Sequence, residues 1–142
     1  MAYASTTQVP VERSRAEIER LCMRHGCTQF MCGVDYENGT ARVQFKAKER
    51  IIRFELTLPE KAKFRRDKDY EQASRSRWRA LVLVLKAKLE SVEAGIATFE
   101  EEFLPFIVMP NDLTVGAILI PMIDASYSTG LMPKQLLIGD GK

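Results

Sequence analysis

Residues 29–58 read QFMCGVDYENGTARVQFKAKERIIRFELTL. Phe30, Cys32 and Val34 alternate with Met31, Gly33 and Asp35. Ala41, Val43 and Phe45 alternate with Arg42, Gln44 and Lys46, and Ile52, Phe54, Leu56 and Leu58 with Ile51, Arg53, Glu55 and Thr57. Successive side chains of a strand point to opposite faces, so a period of two gives each segment one apolar and one polar face. Asn38-Gly39 lies between the first two segments. It is the strongest short hairpin signal, because a type I′ turn needs two residues at positive φ. Lys48-Glu49-Arg50 turns the chain again, and Pro59 ends the third segment. The stretch predicts a three-stranded antiparallel meander. Its polar face carries Arg42, Gln44, Lys46, Arg53 and Glu55.

Helical periodicity flanks the meander. Upstream, Ser14 and Glu17 form a Ser-x-x-Glu capping box, and Ile18, Leu21, Cys22 and His25 recur at helical spacing. With Gly26 as the C-terminal stop, this predicts a short amphipathic helix over 15–25. Downstream, a charged connection (EKAKFRRDKD, 60–69) leads into a long helix from about Tyr70. Trp78, Leu81, Leu85, Leu89, Val92 and Ile96 form its continuous apolar stripe. Thr98 and Glu101 predict a second capping box and a helix over 99–107, interrupted by Pro105. Asp112 reads as the cap of a last helix carrying Val115, Ile118, Leu119, Met122 and Ile123, bent at Pro121 and ended by Gly130 and Pro133. The expected fold is α+β: a three-stranded meander after a short N-terminal helix, covered on one face by a long helix and two further helices. Residues 1–12 are expected to be a flexible arm, 13–130 a single domain and 131–142 a loose tail.

The chain has 142 residues, 46% hydrophobic and 28% charged, enough for one domain with its own core but not for two large ones. That composition excludes a disordered tail, a collagen-like repeat and a disulfide-dense scaffold. Three cysteines, Cys22, Cys27 and Cys32, are an odd and closely spaced set, unlike a secreted disulfide framework. The N-terminal residues lack the charged-then-apolar pattern of a secretory signal, and no apolar run approaches the length of a membrane span. A reducing cytoplasm is the expected compartment, with no membrane partner.

The net charge of +2 conceals a sharp asymmetry. Residues 42–90 hold 15 Lys and Arg against 7 Asp and Glu, whereas Ser91–Gly130 holds no Lys or Arg at all. Such asymmetry points to a nucleic-acid or acidic-partner surface, or to two segments that neutralise each other in the fold. The candidate binding residues are Arg42, Lys46, Lys48, Arg53, Arg65, Arg66, Arg75, Arg77 and Arg79. Lys61, Lys63 and Lys68 lie among them, and Tyr36, Phe64 and Tyr70 at the border. Clustered cations neutralise phosphates, and neighbouring aromatics can stack on bases. Arg75 and Arg79, one helical turn apart and offset from the apolar stripe, are expected to reach solvent and act on a partner.

Other constellations are weaker. Cys22, His25, Cys27 and Cys32 could supply zinc donors, but their spacing fits no usual pattern and two of the thiols fall on apolar faces. No metal and no cofactor is expected. His25 is the only histidine, and a Cys27–His25 pair lacks a third member, so no catalytic residue is assigned. The apolar run Phe103, Phe106, Ile107, Val108 and Met109, flanked by acid, reads as core or as an interface, for a partner or for a homo-oligomer built on the C-terminal helices.

The segments SRAEIERLCMRHGCTQF, RWRALVLVLKAKLESVEAGIATFEEEFLPFIVMPN and TVGAILIPMIDASYSTGLMP resemble a family of small bacteriophage and prophage proteins. The resemblance spans nearly the whole chain and transfers no functional residues. It implies action in a bacterial host cell, as an accessory factor for replication or recombination or as an anti-defence factor. Separately, the α-β-β-β-α order is similar to that of double-stranded RNA-binding domains. This chain departs from them in its short first hairpin loop and in lacking a compact lysine cluster at the start of the long helix. The leading expectation is a non-enzymatic accessory protein that binds nucleic acid or a nucleoprotein complex through residues 42–79. The alternatives are an anti-CRISPR-like inhibitor of a host defence protein and a small enzyme of unknown type.

Overall fold

The computed structural model describes residues 4–137. The elements in chain order are α1 (Val11–Arg24), β1 (Gln29–Asp35), β2 (Thr40–Ala47), β3 (Arg50–Thr57), α2 (Asp67–Glu93), α3 (Phe99–Phe103) and α4 (Val115–Thr129). Short 3-10 turns occupy Lys61–Lys63, Leu104–Phe106 and Lys134–Leu136. This is the expected α+β class. The strands pair antiparallel in the order β1-β2-β3, with Phe30 opposite Phe45 and Phe45 opposite Ile52.

The alternation read from sequence fixes which face is inside. Ala41, Val43, Phe45, Ile52, Phe54 and Leu56 are buried against α1 and α2, through Ile18, Leu21 and Cys22 of the first helix and Trp78, Leu81, Val82, Leu85 and Leu89 of the second. Phe103 closes this core, fully buried, with its ring edge-on to Phe45 and Phe54 at 6.1 and 6.3 Å. Each such side chain contributes about 1.5–3 kcal/mol of burial. α1 and α2 run in the same direction. Arg15 stacks over Trp78, Glu17 meets Arg79 and Lys86, and His25 meets Glu93, so residue numbers rise together along the contact.

Several boundaries differ from expectation, each for a local reason. α1 begins at Val11 behind Pro10, and no side chain caps it. Ser14 lies inside the helix, fully buried, and Glu17 is drawn across to α2 instead of closing a capping box. Of the arm, Ala4 is buried and the carbonyls of Ser5 and Thr7 accept hydrogen bonds from Gln72 at 3.1 and 2.8 Å, so this stretch is docked on α2. The remainder of the proposed arm, residues 1–3, and residues 138–142 of the proposed tail lie outside the described residues. α2 begins at Asp67, and Gly95 at φ 76 stops the helical path before Ile96, which is 81% exposed and outside the stripe. Thr98 and Glu101 form the capping box reciprocally, and the turn at Leu104–Phe106, with Pro105 in it, ends α3. The cap of α4 is Thr114, whose hydroxyl accepts from the Ala117 amide, while Asp112 stands in the left-handed region at φ 66.

The two hairpin turns exchange the roles read from sequence. Tyr36–Gly39 is a four-residue loop in which Gly39, but not Asn38, has positive φ. The Asp35 carboxylate accepts from both the backbone and the side-chain nitrogen of Asn38, which makes the turn without the type I′ backbone. Between β2 and β3, by contrast, Lys48 and Glu49 sit at φ 51 and 61, a two-residue type I′ turn made without glycine.

Candidate functional site

The polar face of the sheet is where the alternation placed it, but Arg42, Arg53 and Glu55 on it are already paired. Arg42 pairs with Glu55, its register neighbour across β2 and β3. Arg53 is only 8% exposed. The segment after α3 runs along the β3 edge, with Val108 donating to the Ile51 carbonyl, and folds over the Arg53 guanidinium. There Arg53 donates to Gln44 Oε1 at 3.0 Å, to the Asp112 carbonyl at 2.8 Å and to the Asp112 carboxylate. The hydrogen bond and charge of Arg53 hold the Asp112 carboxyl below its usual range. As a solvent-facing binding residue Arg53 is therefore corrected: it is a clamp on the 107–115 segment.

Arg79 is corrected for the same reason. It projects from α2 onto Glu17 of α1, and both side chains are about one-fifth exposed. Lys86 shares the same carboxylate, and the hydrogen bonds from Lys86 and Arg79 keep the Glu17 carboxyl below its ordinary range despite partial burial. Arg75 donates to Gln72 Oε1, the residue that holds the N-terminal stretch. The acidic C-terminal third supplies further internal partners: Glu100 for Arg50 and Glu102 for Lys88. Arg66 meets Asp69, and Lys63 lies 3.5 Å from Glu60.

Among the described residues, apart from Arg75, which is held by Gln72, the cations of segment 42–90 without a carboxylate in ion-pair reach fall at two places. Lys46 and Lys48 lie at the end of the sheet next to the β2–β3 turn. Lys61, Arg65, Lys68 and Arg77 lie at the opposite end, where β3 hands over to α2. Six residue steps along β2 separate Lys46 from Thr40, the register partner of Thr57, a span of about 20 Å. The expected continuous basic strip is therefore split, because its middle is neutralised at Arg42 and Arg53.

The second cluster is the better ordered. Arg77 is exposed but its Nε donates to the Thr57 carbonyl at 2.9 Å, which fixes the guanidinium beside the strand end. Phe64 and Tyr70 meet edge to face at 6.0 Å, and the Lys61 ammonium lies 5.9 Å from the Tyr70 ring centre. Arg65 and Lys68 lie between the two aromatics in sequence and are exposed. Tyr36, 87% exposed, stands apart on the β1–β2 loop.

The cysteine and histidine set does not converge. Cys22 is buried in the core, and burial pushes its thiol up to about 12. Cys27 donates to the Gln29 carbonyl, and His25 Nδ1 lies 3.0 Å from the Leu21 carbonyl. Among the described residues no group of three His, Cys, Asp or Glu is placed to hold a metal ion. Among the described residues no helix is long and apolar enough to cross a membrane.

Sequence reasoning missed Glu17, Gln72 and Asp112 as clamps on the basic residues. Glu17 was readable as an acid on α1, but its partners Arg79 and Lys86 are 62 and 69 positions away. Comparison with protein-family models, with curated proteins and with solved structures finds no match to this chain.

Proposed function

We propose that this chain is a non-enzymatic accessory protein of bacteriophage type that binds the phosphate backbone of nucleic acid with the end of the domain formed by residues 61–77. One observation carries the reading. Lys61, Arg65, Lys68 and Arg77, at the end of the domain that holds the Phe64–Tyr70 pair, have no ion-pair partner, while Arg42, Arg50, Arg53, Arg66, Arg79, Lys86 and Lys88 are paired internally. Four cations at one end supply the sequence-independent term of nucleic-acid affinity, and the aromatic edge offers a stacking surface to an unpaired base. Few groups there could read base edges, so the binding is weakly sequence-specific.

The test is fluorescence anisotropy with single- and double-stranded DNA and RNA across a salt series. Four phosphate contacts give a slope of log K against log salt of roughly −3 to −4. The quadruple variant Lys61→Ala, Arg65→Ala, Lys68→Ala, Arg77→Ala loses that slope. An unchanged slope in the variant, or no binding at low salt, overturns the proposal. Capture of a host protein from nuclease-treated bacterial lysate by the wild type and by this variant alike would favour the inhibitor reading.

A further inference from the structure

Helix α4 is the anomaly of the fold. Its residues, VGAILIPMIDASYST, are the most apolar helix of the chain, yet only Gly116 is buried. The helix meets the rest of the domain mainly at the Leu104–Phe106 turn, where Gly116 comes so close that a Cβ would lie 3.0 Å from the Pro105 carbonyl oxygen. Outward it presents Ile120 at 56%, Ile123 at 46% and Tyr127 at 89% exposure, a stripe at helical spacing, prolonged by Leu113 and Leu131 at 49% and 71%. Three isoleucines, a valine, a glycine and an interior proline make a poor helix by propensity. A fifteen-residue helix of that kind is not self-supporting in water and takes its stability from whatever covers its apolar face.

We infer that two copies of this chain pair through α4. The accessible surface is 10021 Å². A folded monomer of 16.1 kDa exposes about 7,400 Å². Subtracting ~1,300 Å², what eight fully extended residues would expose, still leaves ~1,300 Å² of excess. One side of a standard stable interface takes about 800 Å².

Charge selects the occupant. From Ser91 to Gly130 there is no Lys or Arg, and α4 carries only Asp124. The cavity beside Ile120 brings Arg42 and Arg53 to its border, but they are paired with Glu55 and Asp112. A phosphate or lipid-headgroup surface therefore finds no free cation there, and a basic partner finds only Asp124 unpaired on the helix. A neutral apolar stripe is complementary to itself, as a twofold interface requires. In an antiparallel pair about Ile123, the Ile120 of each helix meets the Tyr127 of the other. The surface lies on a different element from the Lys61–Arg77 cluster, so this inference does not depend on nucleic-acid binding.

Sedimentation equilibrium on the full chain tests it, with Trp78 fluorescence reporting the integrity of the core, where that indole is buried. The wild type sediments at twice 16.1 kDa. Ile123→Glu places an unpaired carboxylate in the contact twice over by symmetry, and raises the dissociation constant at least about a hundredfold without altering Trp78 emission. If Ile123→Glu changes Trp78 emission, Tyr127→Glu, at a more exposed position, decides. A wild type that stays monomeric up to submillimolar concentration overturns the inference, and so does a dimer that persists in both variants.

Discussion

Replacing Arg53 by Met separates a structural cation from a binding one. Methionine keeps an unbranched apolar stem in the buried space and removes the guanidinium alone. Three acceptors then lose their donor: Gln44 Oε1, the Asp112 carbonyl and the Asp112 carboxylate. Hydrogen bonds from a charged donor contribute about 1.5–3 kcal/mol each net, but the carboxylate is exposed and Met recovers some burial, so the expected loss is about 2–3 kcal/mol. For a chain of this size that lowers Tm by roughly 6–10 °C. The damage should be local as well as global. The Val108 and Val115 amides, which bond to Ile51 and Ile107 carbonyls beside the clamp, should exchange faster with deuterium. The pH profile carries a sign. Arg53 lowers the Asp112 carboxyl, so the pairing stabilises the fold above about pH 4 and is lost as pH falls through the lowered value. Arg53→Met should flatten that acid limb. Calorimetry from neutral to acid pH and hydrogen exchange by mass spectrometry make the measurement. A Tm within a degree of wild type with unchanged protection at both amides would refute the clamp.

Two further substitutions probe contacts that hold the helices. Arg79→Ala leaves Glu17 with Lys86 alone and should cost about 1 kcal/mol, since the pair is only partly buried, while the salt dependence of any nucleic-acid binding stays unchanged. Because the folded Glu17 carboxyl is lowered, the Tm difference between Arg79→Ala and wild type should be full above about pH 4.3 and shrink in more acid solution; a difference constant with pH counts against this pairing. Gly116→Ala should fail to deliver the usual gain of about 1 kcal/mol for removing glycine from a helix, because the methyl meets Pro105 at 3.0 Å. A rise in Tm of several degrees would show that the Leu104–Phe106 turn yields freely.

The sheet was legible because its signal is local. Alternation over seven or eight residues leaves one reading of which side is buried, and Val43, Phe45, Ile52 and Phe54 are all inside. Capping chemistry was legible only where nothing competed. Thr98–Glu101 and Ser14–Glu17 share one pattern, but Glu17 is within reach of Arg79 and Lys86, and two cations outweigh one backbone amide. The turns show the same limit. Asn38 prefers the left-handed region, yet the neighbouring Asp35 carboxylate holds it elsewhere, and Lys48-Glu49 adopts that region because the register from Ala47 to Arg50 leaves two residues to close the hairpin. The candidate site was half legible for a related reason. Charge density along the chain located the cations, but which ones stay free depends on carboxylates brought from far away, as Asp112 is to Arg53 across 59 positions.

The parallel course of α1 and α2 bears on the order in which the chain can assemble. Three antiparallel strands joined by short turns draw only on near neighbours in sequence. The α1–α2 contact, in contrast, closes a loop of 62 residues between Glu17 and Arg79. Such a loop costs about 2 kcal/mol more chain entropy than one of five residues, the spacing from Asp35 to Thr40. The difference favours early closure of the meander and late docking of the helix pair. Contacts made after the folding barrier govern the rate of escape rather than the rate of arrival. The Glu17–Arg79–Lys86 cluster is thus placed to control how long a folded molecule survives between openings, and with it the resistance of the chain to proteolysis when cleavage is fast compared with reclosing.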